Sequence, residues 1–291
     1  MLLTIIVLFS LILLSGCSSS VDEAPMEQKS RVTVDLSTFQ VEVEDMSRGS
    51  RTTPTLLDVS SRLSFAVLNS EGGQVVTIHQ DSEDDDFGSV EMELYPGSYK
   101  MVAVAHNGDA DASISSVTSA VLPGTTITDS FTGVQDLTVE SNQDCTFNMS
   151  LKRITSAFIL RLNDIPPANV KEIKVVINTS GFLLSQVNPS TLGINPNTGL
   201  ASNNWKFTHT IPVADVSKNI PLYFIGNTSP ATVTIKATAY DASGKEIISH
   251  TLTGVSLVPN KKTIATGTFF QSSGSGTFTV ETWGTDNNIG Y

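Results

Sequence analysis

Ala231-Thr232-Val233-Thr234-Ile235-Lys236-Ala237-Thr238-Ala239-Tyr240 alternates apolar and polar side chains over ten positions. Successive side chains of a β-strand point to opposite faces, so this period of two puts Val233, Ile235, Ala237 and Ala239 on one buried face. Asp241-Ala242-Ser243-Gly244 then turns the chain back into Ile247 and Ile248. The same pattern recurs in both directions. Upstream it appears at Val32-Thr33-Val34-Asp35-Leu36 and Phe39-Gln40-Val41-Glu42-Val43, then at 63–68 and 75–78 across a Glu71-Gly72-Gly73 turn. Further strands are expected at 91–94, 101–105, 134–139 and 145–151. From Arg153 the pattern starts again, with strands at 157–162, 173–177, 222–225, 252–257 and 263–270. No long segment carries a helical period with capping signals, apart from the apolar N-terminus. Many short strands separated by Gly, Pro and Asn turns predict an all-β chain, organised as two tandem β-sandwich domains.

The N-terminus supplies a second strong signal. Residues 1–16 contain no charged side chain and end in Leu14-Ser15-Gly16-Cys17. Such a run is short for a membrane span but suits the apolar region of a secretory signal. Small Ser15 and Gly16 before a cysteine mark a lipoprotein signal, which leaves Cys17 as the lipid-bearing N-terminus. No Lys or Arg precedes the apolar run, a departure from the usual basic start. The organisation is therefore a lipoprotein signal peptide (1–16), a tether (17–31), an N-terminal sandwich (32–150), a C-terminal sandwich (151–270), and a hinge with a tail strand (271–291). The hinge is Ser272-Ser273-Gly274-Ser275-Gly276. After it, Phe278, Val280 and Trp283 lie in a last alternating stretch.

Composition narrows the function classes. The 291 residues carry 29 acidic and 17 basic side chains, a net charge of −12. A nucleic-acid surface needs clustered Lys and Arg, so nucleic acid is not an expected partner. With Cys17 lipidated, Cys145 has no partner for an intrachain disulfide, and it reads as a small core residue.

The chain offers little catalytic chemistry. His79, His106, His209 and His250 are scattered without metal-pair spacing and read as surface positions on strands or loops. Nucleophile-elbow, phosphate-loop and C-x-x-C patterns are missing. Asp81-Ser82-Glu83-Asp84-Asp85-Asp86 is a dense carboxylate run, but neighbouring side chains on one strand or loop diverge, which favours a solvated loop over a calcium site. No catalytic residue, cofactor or metal is expected.

Four stretches together resemble the fimbrillin superfamily of Bacteroidetes, whose lipoprotein precursors supply stalk, anchor and tip subunits of surface pili. They are the Leu14–Cys17 lipobox, Leu94-x-x-Gly97-x-Tyr99 leading into Ala103 and Ala105, Leu151-Lys152-Arg153-Ile154, and the segment from Val255 through Pro259, Asn260 and Thr263 to Gly267-Thr268-Phe269-Phe270. The resemblance implies transthyretin-like sandwiches and a non-catalytic structural or adhesive pilus subunit, exported as an outer-membrane lipoprotein through Cys17. It implies partners among other pilus subunits, joined in a homo- or hetero-polymer by strand donation. In polymerising members an arginine-specific protease removes the first strand. Here that cut would follow Arg48 or Arg51, releasing 32–43, and the tail with Phe278, Val280 and Trp283 would be the donor. An ordinary exposed loop around Arg48 and Arg51 is the alternative. Stalk, anchor and tip positions all stay open, as does the surface ligand. A different class of function is a glycan-binding lipoprotein, with Trp205, Phe207, Tyr223 and Trp283 as a sugar platform and the two tryptophans the first to test; yet aromatics are only 7% of residues and mostly alternate as core residues do.

Overall fold

The computed structural model describes residues 28–36, 55–124, 126–179, 191–202, 205–271 and 278–282. Among them the regular structure is twenty strands, a one-turn helix at Leu56–Val59 and a 3-10 helix at Val213–Lys218. The all-β class therefore holds. Phe39, Val41 and Val43 lie outside the described residues.

Ser30–Asp35 is the middle strand of a three-stranded sheet, flanked by Ser89–Leu94 and Cys145–Asn148. A five-stranded antiparallel sheet faces it, in the order Lys152–Arg153, Ser130–Val139, Gly97–His106, Arg62–Asn69, Gln74–Asp81. Leu63, Phe65, Val67, Met101, Ala103 and Ala105 project from this sheet into a first core with Val32, Val34 and Leu36. Ala66, Leu68, Val102 and Val104 project from its other side into a second core. The two strands are thus covered on both faces, which is why 63–68 and 101–105 read as nearly continuous apolar runs instead of clean alternation. Tyr99 closes the edge of the first core, its hydroxyl donating to the Tyr95 carbonyl at 2.9 Å.

The second core is built mainly by the C-terminal half. One sheet runs Leu222–Phe224, Ser156–Leu162, Lys262–Gly267, Phe278–Thr282; the other runs Lys206–Pro212, Glu172–Thr179, Ala231–Tyr240, Glu246–Leu257. Val233, Ile235, Ala237 and Ala239 are all buried, as their alternation requires. Opposite Ala231–Tyr240 the register slips between Val233 and Ile235, where Gly254 takes φ +69°. That is the left-handed conformation a glycine permits in a bulge.

A fifth sheet joins the two halves of the chain. Its order is Leu200–Ala201, Thr191–Asn195, Ser119–Pro123, Ser113–Ser116, so strands from either side of residue 150 pair directly. Leu122, Ile114, Leu192 and Ile194 from this sheet enter the second core. The halves therefore share buried surface as well as backbone.

A polar cluster fixes the crossing point. Arg153 Nε donates to both oxygens of Asp129, at 2.9 and 3.1 Å, and Thr155 Oγ1 donates to Asp129 Oδ1 at 2.7 Å. Arg153 Nη1 donates to Asn260 Oδ1 at 3.0 Å, and its guanidinium lies 4.9 Å from the Phe131 ring centre. Main-chain bonds run alongside, from Ile154 N to Ser130 O and from Asn260 N to Thr155 O. The charged side chains are only 5% and 11% exposed. An ion pair this deep contributes little net energy against desolvation, yet breaking it strands a buried charge. Asp129→Ala is expected to cost about 3–5 kcal/mol in urea unfolding, with much of that recovered in the Asp129→Ala/Arg153→Met double variant. A loss well below 1 kcal/mol would show that the cluster does not hold the halves together.

Candidate functional site

The features singled out in the sequence converge on two strands and their seats. Val32, Val34 and Leu36 are fully buried. Ser30–Asp35 pairs antiparallel with Ser89–Leu94 over six positions and parallel with Cys145–Asn148 over four. Its ends are also fastened. Ser30 Oγ donates to the Glu140 carbonyl at 2.9 Å, Arg31 N to Asp144 Oδ1 at 3.0 Å, and Leu36 N to the Gly88 carbonyl at 2.7 Å. Each such aliphatic side chain contributes about 1.5–3 kcal/mol on burial, so the three together rival the ~5–15 kcal/mol stability of a whole domain. Removing this strand without a substitute would open a groove through the first core.

The tail strand is held much more lightly. Among the described residues Phe278–Thr282 pairs only with Lys262–Gly267, at the end of its sheet. Phe278 packs edge-on against His250 and Phe269, with ring centres 5.6 and 6.3 Å away. A His250 ring nitrogen bonds the Phe269 carbonyl at 2.9 Å, and Asp164 accepts from the backbone N–H groups of Phe269 and Phe270. Val280 is 38% exposed. Two expected donor residues, Phe278 and Val280, therefore sit on an edge strand that pairs within the chain. Trp283, Cys17, Arg48 and Arg51 lie outside the described residues.

Other expectations fare differently. Trp205 packs against the second core with a buried indole nitrogen, and Phe207 meets Phe224 edge-on at 5.2 Å inside that core. Trp205 is thus no exposed sugar platform. The acidic run folds on itself: Asp81 N donates to Asp84 Oδ2 and Glu83 N to Asp81 Oδ1. Cys145 is half-buried on an edge strand, not in the core interior, and burial pushes its thiol pKa up.

The histidines hold the largest surprise. His106 and His209 are buried, 2% and 8% exposed, against the surface positions expected for them. Gly108 N donates to His106 Nδ1 at 2.9 Å, so the proton sits on Nε2. Burial lowers both pKa values from 6.5 to about 4. Neither Ala105-His106-Asn107 nor Thr208-His209-Thr210 signals this by itself, because the covering residues come from distant segments.

Two expectations follow from these geometries. Leu36→Ala should cost about 2–5 kcal/mol in urea unfolding, while exposed Arg31→Ala stays within ~0.5 kcal/mol; equal effects would contradict the strand's central role. Between pH 4 and 6.5 the unfolded chain binds protons that the buried histidines refuse, so stability is full above about pH 6.5 and falls toward pH 4. The expected loss is roughly 3 kcal/mol per histidine by pH 4, read from urea midpoints across that range. A flat profile would place both rings in contact with water.

Comparison with known proteins adds the family. The family model of the fimbrillin-A associated anchor proteins Mfa1 and Mfa2 matches residues 32–289. Among solved structures, a candidate cell adhesion protein from Parabacteroides distasonis superposes with a TM-score of 0.52 at 10% identity, covering 89% of this chain and 99% of that one. A fimbrial assembly protein from the same organism gives a TM-score of 0.49 at 14% identity, over 87% and 95% of the two chains. A candidate cell adhesion protein from Bacteroides ovatus gives 0.49 at 11% identity, over 90% and 99%. At such identities the likeness is one of fold. No functionally curated protein matches the chain significantly. With the family match running from the buried Val32 strand past the tail strand, the chain belongs to the family of fimbrillin-A associated anchor proteins Mfa1 and Mfa2.

Proposed function

We propose that this protein is a non-catalytic structural and adhesive subunit of a surface fimbrium, seated at its membrane-proximal end as a lipoprotein anchor. The observation that carries this reading is the placement of Ser30–Asp35 at the centre of its sheet, with Val32, Val34 and Leu36 fully buried. A subunit that keeps this strand keeps a continuous chain from its fold to Cys17, and so to the membrane. Family membership supports association with other fimbrial subunits and a place at the cell surface. Cys17, at the end of the apolar run, is the lipid attachment point, and acyl chains there add about 0.8 kcal/mol of membrane affinity per buried methylene.

The other end of the molecule makes the joint to the next subunit. Phe278–Thr282 is an edge strand bonded on one side and follows the Ser272–Gly276 hinge. A strand of that kind can exchange an intrachain neighbour for an intermolecular one at small cost, because each pairing supplies the same backbone bonds. Phe278, Val280 and Trp283 are its side-chain anchors. The two sandwich units, 32–150 and 151–270, act as one rigid spacer between lipid and joint, pinned by the shared fifth sheet and the Arg153–Asp129 cluster. Arg48 and Arg51 stay uncut in this role.

Intact mass measured on protein extracted from its native envelope, beside an unboiled gel, tests the reading. The expected species begins at an acylated Cys17, retains residues 30–36 and co-migrates with fimbrial subunits. A species beginning after Arg48 or Arg51, within a ladder of oligomers of this same chain, would make it a stalk-type subunit instead. Deleting residues 277–291 is expected to release fimbriae from the cell surface while leaving this protein in the membrane.

A further inference from the structure

The five-stranded sheet ends at Gln74–Asp81, which pairs on one side with Arg62–Asn69 and, among the described residues, has no strand on the other. An end strand presents a row of unpaired N–H and C=O groups, and proteins ordinarily guard it with charge, proline, bulges or shortness. Other long end strands of this fold are guarded in those ways. Ser89–Leu94 carries exposed Glu91 and Glu93, Lys206–Pro212 closes on a proline, and Glu246–Leu257 is broken by two register slips. Gln74–Asp81 has eight residues and contains no Lys, Arg, Glu or Pro. Its single charge, Asp81, stands at one end, 3.8 Å from Arg62. A register slip opposite Val67 and Leu68 leaves Val75 exposed at the other. Between those ends the edge is open.

The ladder fixes which groups face outward. Ser82 N donates to Ser61 O at 3.0 Å, and the pairing continues in that register to Val67 and Val76. Hydrogen-bonded and non-bonded pairs alternate in an antiparallel ladder. Gln80, Ile78 and Val76 therefore bond inward, while Thr77 and His79 turn their N–H and C=O groups to the open side. Val76 and Ile78 are half-buried against the first core. A strand laid beside them would extend that core with its own alternate side chains.

Charge selects the occupant. The edge runs into Glu83, Asp84, Asp85 and Asp86, all exposed, and Glu91 and Glu93 lie on the end strand of the facing sheet. Buried Gln80 holds this acidic loop in place: its amide donates to the carbonyls of Asp86 and Ser89 at 3.2 and 2.9 Å, and its Oε1 accepts from Gly88 N at 3.0 Å. Among the described residues Glu83, Asp85 and Asp86 form no ion pair. Glu71 stands in the turn at the strand's other end. A second copy paired antiparallel, edge to edge, would set its acidic loop against that Glu71, and both chains carry a net charge of −12. A basic strand meets the opposite situation.

We propose that the open edge of Gln74–Asp81 takes up an extended basic peptide segment of another protein as an added strand. Its backbone bonds to Thr77 and His79, its alternate apolar side chains cover Val76 and Ile78, and its Lys or Arg residues reach Glu83, Asp85 and Asp86. The site shares no residue with the Ser30–Asp35 strand or the tail strand. It gives the subunit a lateral partner whichever place it takes in the fimbrium.

Hydrogen–deuterium exchange on the full mature chain, beside anisotropy of a labelled peptide, tests the assignment. The probe is an eight-residue peptide alternating Val and Thr with two Lys at one end, and its twin has Glu for Lys. The Lys peptide is expected to bind, to slow exchange at Thr77 and His79, and to bind ~10-fold or more tightly than its twin at low salt, the gap narrowing as salt screens the charges. Asp85→Lys/Asp86→Lys changes two exposed side chains and should reverse the preference. Thr77→Pro removes one outward N–H where an edge strand accepts proline, and should weaken both peptides; if proline unfolds the edge, the charge variant decides. No binding of the Lys peptide, equal binding of the twins, an unreversed preference in Asp85→Lys/Asp86→Lys, or protection only outside Gln74–Asp81 would each overturn the proposal. A dimer of the free protein that protects the same amides would make a second copy the occupant and overturn it as well. None of those results bears on anchoring, which is read from envelope extracts.

Discussion

Everything in the N-terminal half depends on one short strand lying between two others that are remote from it in sequence. Ser30–Asp35 has Ser89–Leu94 on one side and Cys145–Asn148 on the other, and its apolar face completes the first core. The cost of closing those long loops is met only when the strand is seated, since its neighbours do not pair with each other. An insertion of that design makes the occupant of the groove, and its covalent connection to whatever precedes it, the natural variable for a fimbrial subunit. In the proposed anchor role the occupant would be the subunit's own strand, and the connection would lead to Cys17.

The second constraint is the sharing of buried surface across the middle of the chain. The five-stranded sheet has a core on each face, and the fifth sheet pairs strands from both halves. Asp129, Arg153, Thr155 and Asn260 then lock the direction in which one half leaves the other. A force-bearing spacer needs such a joint, because a flexible linker between sandwiches would extend before load reached the next subunit.

Much of the fold was legible because half-buried strands write their period into the sequence. Ala231–Tyr240 and Val32–Leu36 were plain for that reason, and their buried residues are those the alternation picks out. The fifth sheet was not. Ser113–Ser116 and Leu200–Ala201 are too short and too polar to stand out, and Thr191–Asn195 pairs with a strand some seventy residues earlier. The burial of His106 and His209 was hidden by the same long-range packing. Of the candidate site, the tail strand was marked by its Ser/Gly hinge, and the first strand by its period. Its central position was not, because period two cannot distinguish an edge strand from a middle one. The Arg153 motif was visible as a restart of the pattern, while its role as a buried lock required the partners from positions 129 and 260.

Hydrogen–deuterium exchange on the intact mature protein tests the central claim most directly, since it reads the protection of each strand in place. Amides of Ser30–Leu36 should exchange only with global unfolding, as slowly as those of Gly97–His106, while Phe278–Thr282 exchanges early through local opening. Exchange of Ser30–Leu36 as fast as the tail strand would contradict the account: the first strand would then be a loosely held occupant, and the subunit one built to give it up.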